Sequence, residues 1–79
     1  MPMAFVLINT EIGSENEVLE EIAKIDAVCE AFMLYGVYDV VAKVGAETMD
    51  KLKEIVTSKV RRLDKVRSTL TMIVIEGQK

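Results

Sequence analysis

Hydrophobic and polar positions along the chain predict the order strand, helix, strand, strand, helix, strand. An apolar run rich in strand formers, Phe5-Val6-Leu7-Ile8, predicts the first strand at residues 3–10. Both faces of this strand carry apolar side chains, so we expect both to be buried. A turn at Glu11-Ile12-Gly13 separates it from the first predicted helix, at residues 15–25.

The start of this helix has a sequence signature of its own. Ser14 and Glu17 have the S-x-x-E spacing of a capping box, in which both side chains satisfy backbone N–H groups of the first turn. Apolar residues then follow at helical spacing: Val18, Leu19, Ile22 and Ile25.

The middle of the chain predicts a β-hairpin. Strands are expected at residues 27–35 and 38–44, joined by the two-residue connection Gly36-Val37. Glycine adopts positive φ readily, which such a tight connection requires. A second helix is predicted at residues 46–60, a last strand at 66–76 and a short tail at 77–79.

This order predicts an α+β domain of the ferredoxin-like βαββαβ type, with a four-stranded antiparallel sheet. Two right-handed crossovers place both helices on one face of the sheet. The other face is bare in a single copy, and the pattern supplies apolar residues for it, with Ile73 and Ile75 as the clearest cases. We therefore expect a homodimer formed through the sheets, and a larger ring of dimers.

The composition supports a covered face. The chain has 79 residues, which we expect to form a single domain spanning 1–79, and 51% of them are hydrophobic. A domain of this size buries only roughly 60% of the surface that its unfolded chain exposes. The apolar surplus therefore predicts a partner chain.

Residue counts exclude several chemistries. The absence of His and the single Cys leave no zinc cluster and no nucleophile–base pair, so we expect no enzyme, metal or cofactor. Cys29 is expected to pack as a small hydrophobe, and a lone Cys favours the cytoplasm. No apolar run is long enough to cross a membrane. The net charge of −3 argues against direct nucleic-acid binding. One basic cluster is interpreted as a solvated helix end: Lys59, Arg61, Arg62, Lys65 and Arg67.

Two polar features stand out among the predicted strands. Asp39 lies early in an apolar strand, either as a turn residue or as a binding group. Thr69 and Thr71 project from one strand face, as ordinary strand formers or as ligand contacts. A carboxylate pairs with an ammonium, and hydroxyl groups hold a carboxylate. Together these groups suit the two ends of a free amino acid.

The same segments resemble a known family. The residues Gly36-Val37-Tyr38-Asp39 are similar to the G-x-Y-D hairpin of the C-terminal RAM domain of Lrp/AsnC transcriptional regulators. Val66-Arg67-Ser68-Thr69-Leu70-Thr71 resembles that family's V-x-x-T-x-T last strand. The resemblance covers essentially the whole chain. Because the first strand begins near Met3, the chain resembles the stand-alone form of the domain, which lacks the helix-turn-helix that contacts DNA.

The resemblance implies an amino-acid-sensing module that assembles into octamers or similar rings. It places the effector between dimers, lined by Gly36, Tyr38, Asp39, Thr69 and Thr71. Ser68 has the opposite parity and ranks lower. Mixed assembly with full-length Lrp/AsnC regulators is a compatible function. Two alternatives stay open: a small dimeric ferredoxin-like monooxygenase or isomerase, and an ACT-like regulatory domain, for which Gly13 would supply the turn after the first strand.

Overall fold

The computed structural model describes residues 1–78 and confirms the predicted ferredoxin-like α+β fold. The strands are β1 (Met3–Thr10), β2 (Val28–Met33), β3 (Val40–Gly45) and β4 (Val66–Ile73). The helices are α1 (Glu15–Ala23) and α2 (Met49–Ile55), and α2 continues into a π-helical turn, Val56–Val60. Lys79, the end of the predicted tail, lies outside the described residues.

The four strands form one antiparallel sheet in the order β2-β3-β1-β4. β1 is central, and its Ile8 has Val40 of β3 on one side and Thr69 of β4 on the other. Residues directly opposite each other in a sheet share a face. The register therefore decides which side chains meet the helices and which point away.

The hydrophobic core lies between the helices and one face of the sheet. Ala4, Val6 and Ile8 of β1 are fully buried there, together with alternate residues of β3. The helices contribute Val18, Ile22, Leu52, Val56 and Val60. Burying one such side chain stabilises the fold by about 1.5–3 kcal/mol.

The second face of the sheet, here called the open face, is largely apolar and is uncovered in a single chain. One row across all four strands consists of Phe32, Val41, Leu7 and Leu70, and Phe5 and Met72 lie in the next row. Phe32 is 56% exposed and Met72 47% exposed. Within a single chain only one face of β1 is buried, since Phe5 on the other face is 40% exposed, so burial of both faces requires a covering partner.

The prediction that Ile73 and Ile75 lie on the open face is wrong. Ile73 pairs with Ala4, whose side chain is buried against the helices, so Ile73 lies on the helix side. Ile75 follows the end of β4 and is 95% exposed. Both parities of β4 carry apolar residues, so the pattern alone does not reveal which one faces the core.

The β2–β3 connection is longer than predicted. β2 ends at Met33 and β3 begins at Val40, which leaves residues 34–39 between them. The N–H of Leu34 donates to the carbonyl oxygen of Asp39 over 2.7 Å and closes this segment. Gly36 does not have positive φ, contrary to the prediction; within residues 1–78 only Gly13 does, at 83°.

Two further local predictions were wrong. Ser14 makes no side-chain capping bond, because its φ of −105° and ψ of 11° are not the extended values of a typical N-cap. At the start of the other helix, Thr48 does cap α2, because its Oγ1 accepts from the N–H of Lys51 over 3.1 Å. Cys29 is exposed rather than packed, since the β2–β3 register shifts between Val28 and Glu30 and leaves Cys29 in a bulge.

Candidate functional site

A groove of about 320 Å³ lies between α2 with its π-helical turn and the edge strand β4. We call it the α2–β4 groove. Its lining consists of Leu52, Lys53, Val56, Thr57, Arg61, Thr69, Thr71 and Ile73.

The strand register places the two β4 threonines in this groove. Thr69 lies opposite Ile8 and Thr71 opposite Val6, and both of these β1 residues face the helices. Within residues 1–78, neither threonine hydroxyl is used in a side-chain hydrogen bond. Both hydroxyl groups are therefore free to bind a polar ligand.

The helix supplies an apolar floor and a charged rim. Leu52 and Val56 are buried, and they form the base of the groove together with Ile73. Lys53 and Arg61 are exposed at its rim. Cations and hydroxyl groups hold a carboxylate, while the apolar floor suits a hydrocarbon side chain.

The π-helical turn shapes one wall of this groove. The N–H of Arg61 donates to the carbonyl oxygen of Val56 over 3.0 Å, which is the wider i→i+5 bond. Single π turns of this kind occur frequently at functional sites. Here the turn carries two lining residues, Val56 and Thr57, and Arg61 follows directly.

The predicted hairpin residues lie elsewhere. Gly36 is exposed, while Tyr38 and Asp39 are half-buried. Asp39 lines a second groove of about 390 Å³ at the end of β1, which we call the hairpin groove. The other residues of this groove are Asn9, Thr10, Ile12, Glu15, Arg67 and Ser68.

A single chain thus brings together only part of the predicted site. Thr69 and Thr71 share the α2–β4 groove, Asp39 lies in the hairpin groove, and the two grooves have no lining residue in common. β1 runs between β3 and β4, so the Cα atoms of Val40 and Thr69 are separated by two strand spacings, about 9.5 Å.

Residues 3–79 match the family described as the Lrp/AsnC ligand binding domain. The match extends over nearly the whole sequence and includes both grooves. This chain belongs to the Lrp/AsnC ligand-binding domain family.

Individual relatives agree with this assignment. An HTH-type transcriptional regulator of Pyrococcus furiosus is 38% identical over 73 residues, which cover 89% of this chain and 49% of the regulator. The chain therefore spans about half the length of this curated relative. A solved structure, a hypothetical protein from Pyrococcus horikoshii, shows 38% identity and a TM-score of 0.90. That comparison covers 98% of this chain and 93% of the other.

A more distant solved structure extends the comparison. It is a transcriptional regulator of Neisseria meningitidis in complex with L-Met, with 18% identity and a TM-score of 0.86 over 99% of this chain and 52% of that one. At this identity the likeness shows a shared fold alone. The relatives of higher identity that are named by function are transcriptional regulators rather than enzymes.

The structure adds groove residues to those that the sequence singled out in this Lrp/AsnC domain. Lys53, Thr57 and Arg61 are spaced four residues apart, so they follow one helix face beside Thr69 and Thr71. That spacing was visible in the sequence, but Arg61 was grouped with the solvated basic cluster. All five members of that cluster are indeed exposed.

The described part of the Lrp/AsnC domain holds neither a metal-binding cluster nor a membrane-spanning helix. Among the described residues, no three His, Cys, Asp or Glu side chains come close enough to hold a metal ion. In the same part of the chain, every helix is too short or too polar to cross a bilayer.

Proposed function

We propose that this Lrp/AsnC domain binds a free amino acid in the α2–β4 groove and passes that signal to the regulators with which it assembles. Thr69 and Thr71 bind the ligand from the groove. Gly36, Tyr38 and Asp39 belong to the hairpin of another copy, which closes the site. The module has no catalytic role.

The lining of the α2–β4 groove carries this proposal. The groove combines the hydroxyl groups of Thr69 and Thr71 with the apolar side chains of Leu52, Val56 and Ile73. An amino acid placed there has its carboxylate near the hydroxyl groups and the rim cations, and its side chain over the apolar floor. Small-molecule sites combine an apolar lining with a few polar groups in this way.

The hairpin supports a site that is shared between copies. Tyr35 and Val37 project fully into solvent, with relative exposures of 107% and 85%. A Cβ atom built on Gly36 would meet nothing within 4 Å, so the tip has room for a close neighbour. Because the hairpin and the groove lie apart within one chain, we propose that they meet across a contact between dimers.

The open face supports the dimer itself. Its four-residue apolar row forms a contiguous patch with the adjacent Phe5 and Met72. Single exposed apolar residues are common on protein surfaces, whereas a large contiguous patch marks an interaction site. A second copy covers this patch, and dimers then associate through their hairpins into an octamer or a similar ring.

The relatives support a role in regulation. The chain matches about half of an HTH-type regulator, and one regulator of the same fold holds L-Met. We propose that this domain joins such full-length regulators in mixed assemblies in the cytoplasm and alters their DNA binding. The net charge of −3 disfavours direct contact with DNA.

Calorimetric titration with each of the twenty amino acids tests the proposal. At least one should bind the wild-type chain, and Thr69→Val and Thr71→Val should each weaken binding by about tenfold, since each removes a hydrogen bond to a charged group. Ser58→Ala is the matched control, because the Ser58 hydroxyl donates to the carbonyl oxygen of Glu54 outside the groove. Absence of binding for all twenty contradicts the proposal.

A further inference from the structure

Asp39 is fixed at the end of β1 by hydrogen bonds from both its backbone and its side chain. Its N–H donates to the carbonyl oxygen of Ile8 over 2.9 Å, and its own carbonyl oxygen accepts from the N–H of Leu34. Its carboxylate Oδ2 accepts from the N–H of Thr10 over 2.9 Å and from the Thr10 hydroxyl over 3.3 Å.

The side-chain bonds replace the strand partner that β1 lacks at Thr10 on its β3 side. Pairing between β1 and β3 ends at Ile8 and Val40, so Thr10 extends beyond the last paired residue of β3. Thr10 is only 4% exposed, and a buried N–H without an acceptor would cost about 1–3 kcal/mol. The Asp39 carboxylate is the acceptor that this N–H uses.

The same bonds orient the hairpin. Residues 34–39 are closed by the bond from Leu34 to Asp39, and the tip beyond it is fully exposed at Tyr35 and Val37. The direction of the tip therefore depends on how Asp39 is fastened to β1.

We infer that Asp39 is a positioning residue, which fastens the hairpin to the end of β1 and thereby presents Gly36 and Tyr38 to the neighbouring copy. Asp39 then acts on the ligand site through the hairpin, and not by pairing with the ligand ammonium. This inference rests on the proposed function for its effect on binding, while the fastening itself is independent of any ligand.

Two substitutions at Asp39 separate the two roles. Asp39→Asn removes the negative charge but keeps an oxygen that accepts from Thr10, whereas Asp39→Ala removes both. A positioning role predicts near wild-type amino-acid affinity for Asp39→Asn and a large loss for Asp39→Ala. Equal losses in both variants, with the hairpin still ordered in Asp39→Asn, would mean that the charge binds the ammonium and would overturn the inference.

Hydrogen exchange of single amides gives a readout that needs no ligand. In Asp39→Ala the Thr10 amide should exchange at least about fivefold faster, with a similar change at Leu34, because one hydrogen bond contributes about 1 kcal/mol. The Val18 amide, which donates to the Ser14 carbonyl oxygen, is the internal control. Unchanged exchange at Thr10 and Leu34 contradicts the fastening.

The hydrogen-exchange measurement is independent of the amino-acid-binding measurement. If the wild-type chain binds no amino acid, the proposed function is contradicted. The exchange rates of the Thr10 and Leu34 amides still test whether Asp39 fastens the hairpin to β1. Thr10→Val keeps the N–H bond to Asp39 but removes the hydroxyl bonds to Asp39 and to the carbonyl oxygen of Glu11, and it should give a smaller acceleration at the same amide. If Asp39→Ala fails to fold, the Thr10 amide in Thr10→Val decides the matter, and Asp39→Asn, which keeps the acceptor oxygen, should leave exchange near the wild-type rate.

Discussion

Leu70 of β4 lies directly opposite Leu7 of β1, on the sheet face that points away from the helices. Val41 and Phe32 continue this row onto β3 and β2. An apolar row that crosses all four strands suits contact with the same row of a second copy.

Leu70→Glu should therefore dissociate the proposed dimer. Burying a leucine stabilises an interface by about 1.5–3 kcal/mol, and a glutamate there adds the cost of desolvating a charge. Light scattering coupled to size-exclusion chromatography measures the mass. Met49→Glu, on α2 and also partly exposed, is the control and should keep the wild-type mass. An unchanged mass for Leu70→Glu would show that the open face is not the contact.

The open face also carries one ion pair, between Lys43 Nζ and Glu30 Oε1 at 4.0 Å. These residues share a row with Phe5 and Met72, so a face-to-face contact places the pair beside apolar surface. Lys43→Glu should weaken the dimer, because like charges in a poorly hydrated contact repel.

The exchanged variant Glu30→Lys with Lys43→Glu should recover much of the wild-type dissociation constant, measured by sedimentation. The pair between Lys24 and Glu21 on α1 is a solvent-exposed control. Lys24→Glu should leave the dissociation constant unchanged, and an equal effect there would argue for a general charge effect.

Helix capping gives a prediction on stability alone. Thr48→Ala should lower the free energy of unfolding by about 1 kcal/mol, because the Thr48 side chain caps α2. Ser14→Ala should change it by only a few tenths, since the Ser14 side chain makes no capping bond. Urea denaturation at one fixed protein concentration compares the two. A larger loss for Ser14→Ala than for Thr48→Ala would support the capping box at Ser14 that the sequence predicts.

The glycines form a second matched pair. Gly13 has φ of 83°, so Gly13→Ala should destabilise the fold by roughly 1–2 kcal/mol. Gly36→Ala should leave the free energy of unfolding nearly unchanged, because its φ is not positive and the added Cβ has free space. Thermal or urea unfolding of both variants checks this order, and the reverse order would contradict the backbone geometry described above.

The order of the elements and the fold follow from the sequence, because period-two and period-3.6 patterns each commit a segment to one kind of structure. The shared face of Thr69 and Thr71 also follows, since strand side chains alternate. The side on which Ile73 lies did not follow, because both parities of β4 include apolar residues and only pairing with Ala4 decides between them.

Other parts of the site depend on tertiary contacts that a pattern does not contain. The segment between β2 and β3 is held by hydrogen bonds between Asp39 and two residues of a different strand, Ile8 and Thr10. Lys53 and Arg61 line the groove because α2 and its π-helical turn lie beside β4, and no local sequence spacing specifies that arrangement.

A mixing experiment tests most directly the claim that the ligand site is shared between copies. One variant lacks the groove hydroxyl groups (Thr69→Val with Thr71→Val), and the other lacks the hairpin fastening (Asp39→Ala). Each should bind little amino acid alone, whereas refolding the two together should restore calorimetric binding in a fraction of sites, where an intact groove meets an intact hairpin. No recovery in verified mixed assemblies would place the whole site within one chain and contradict the account.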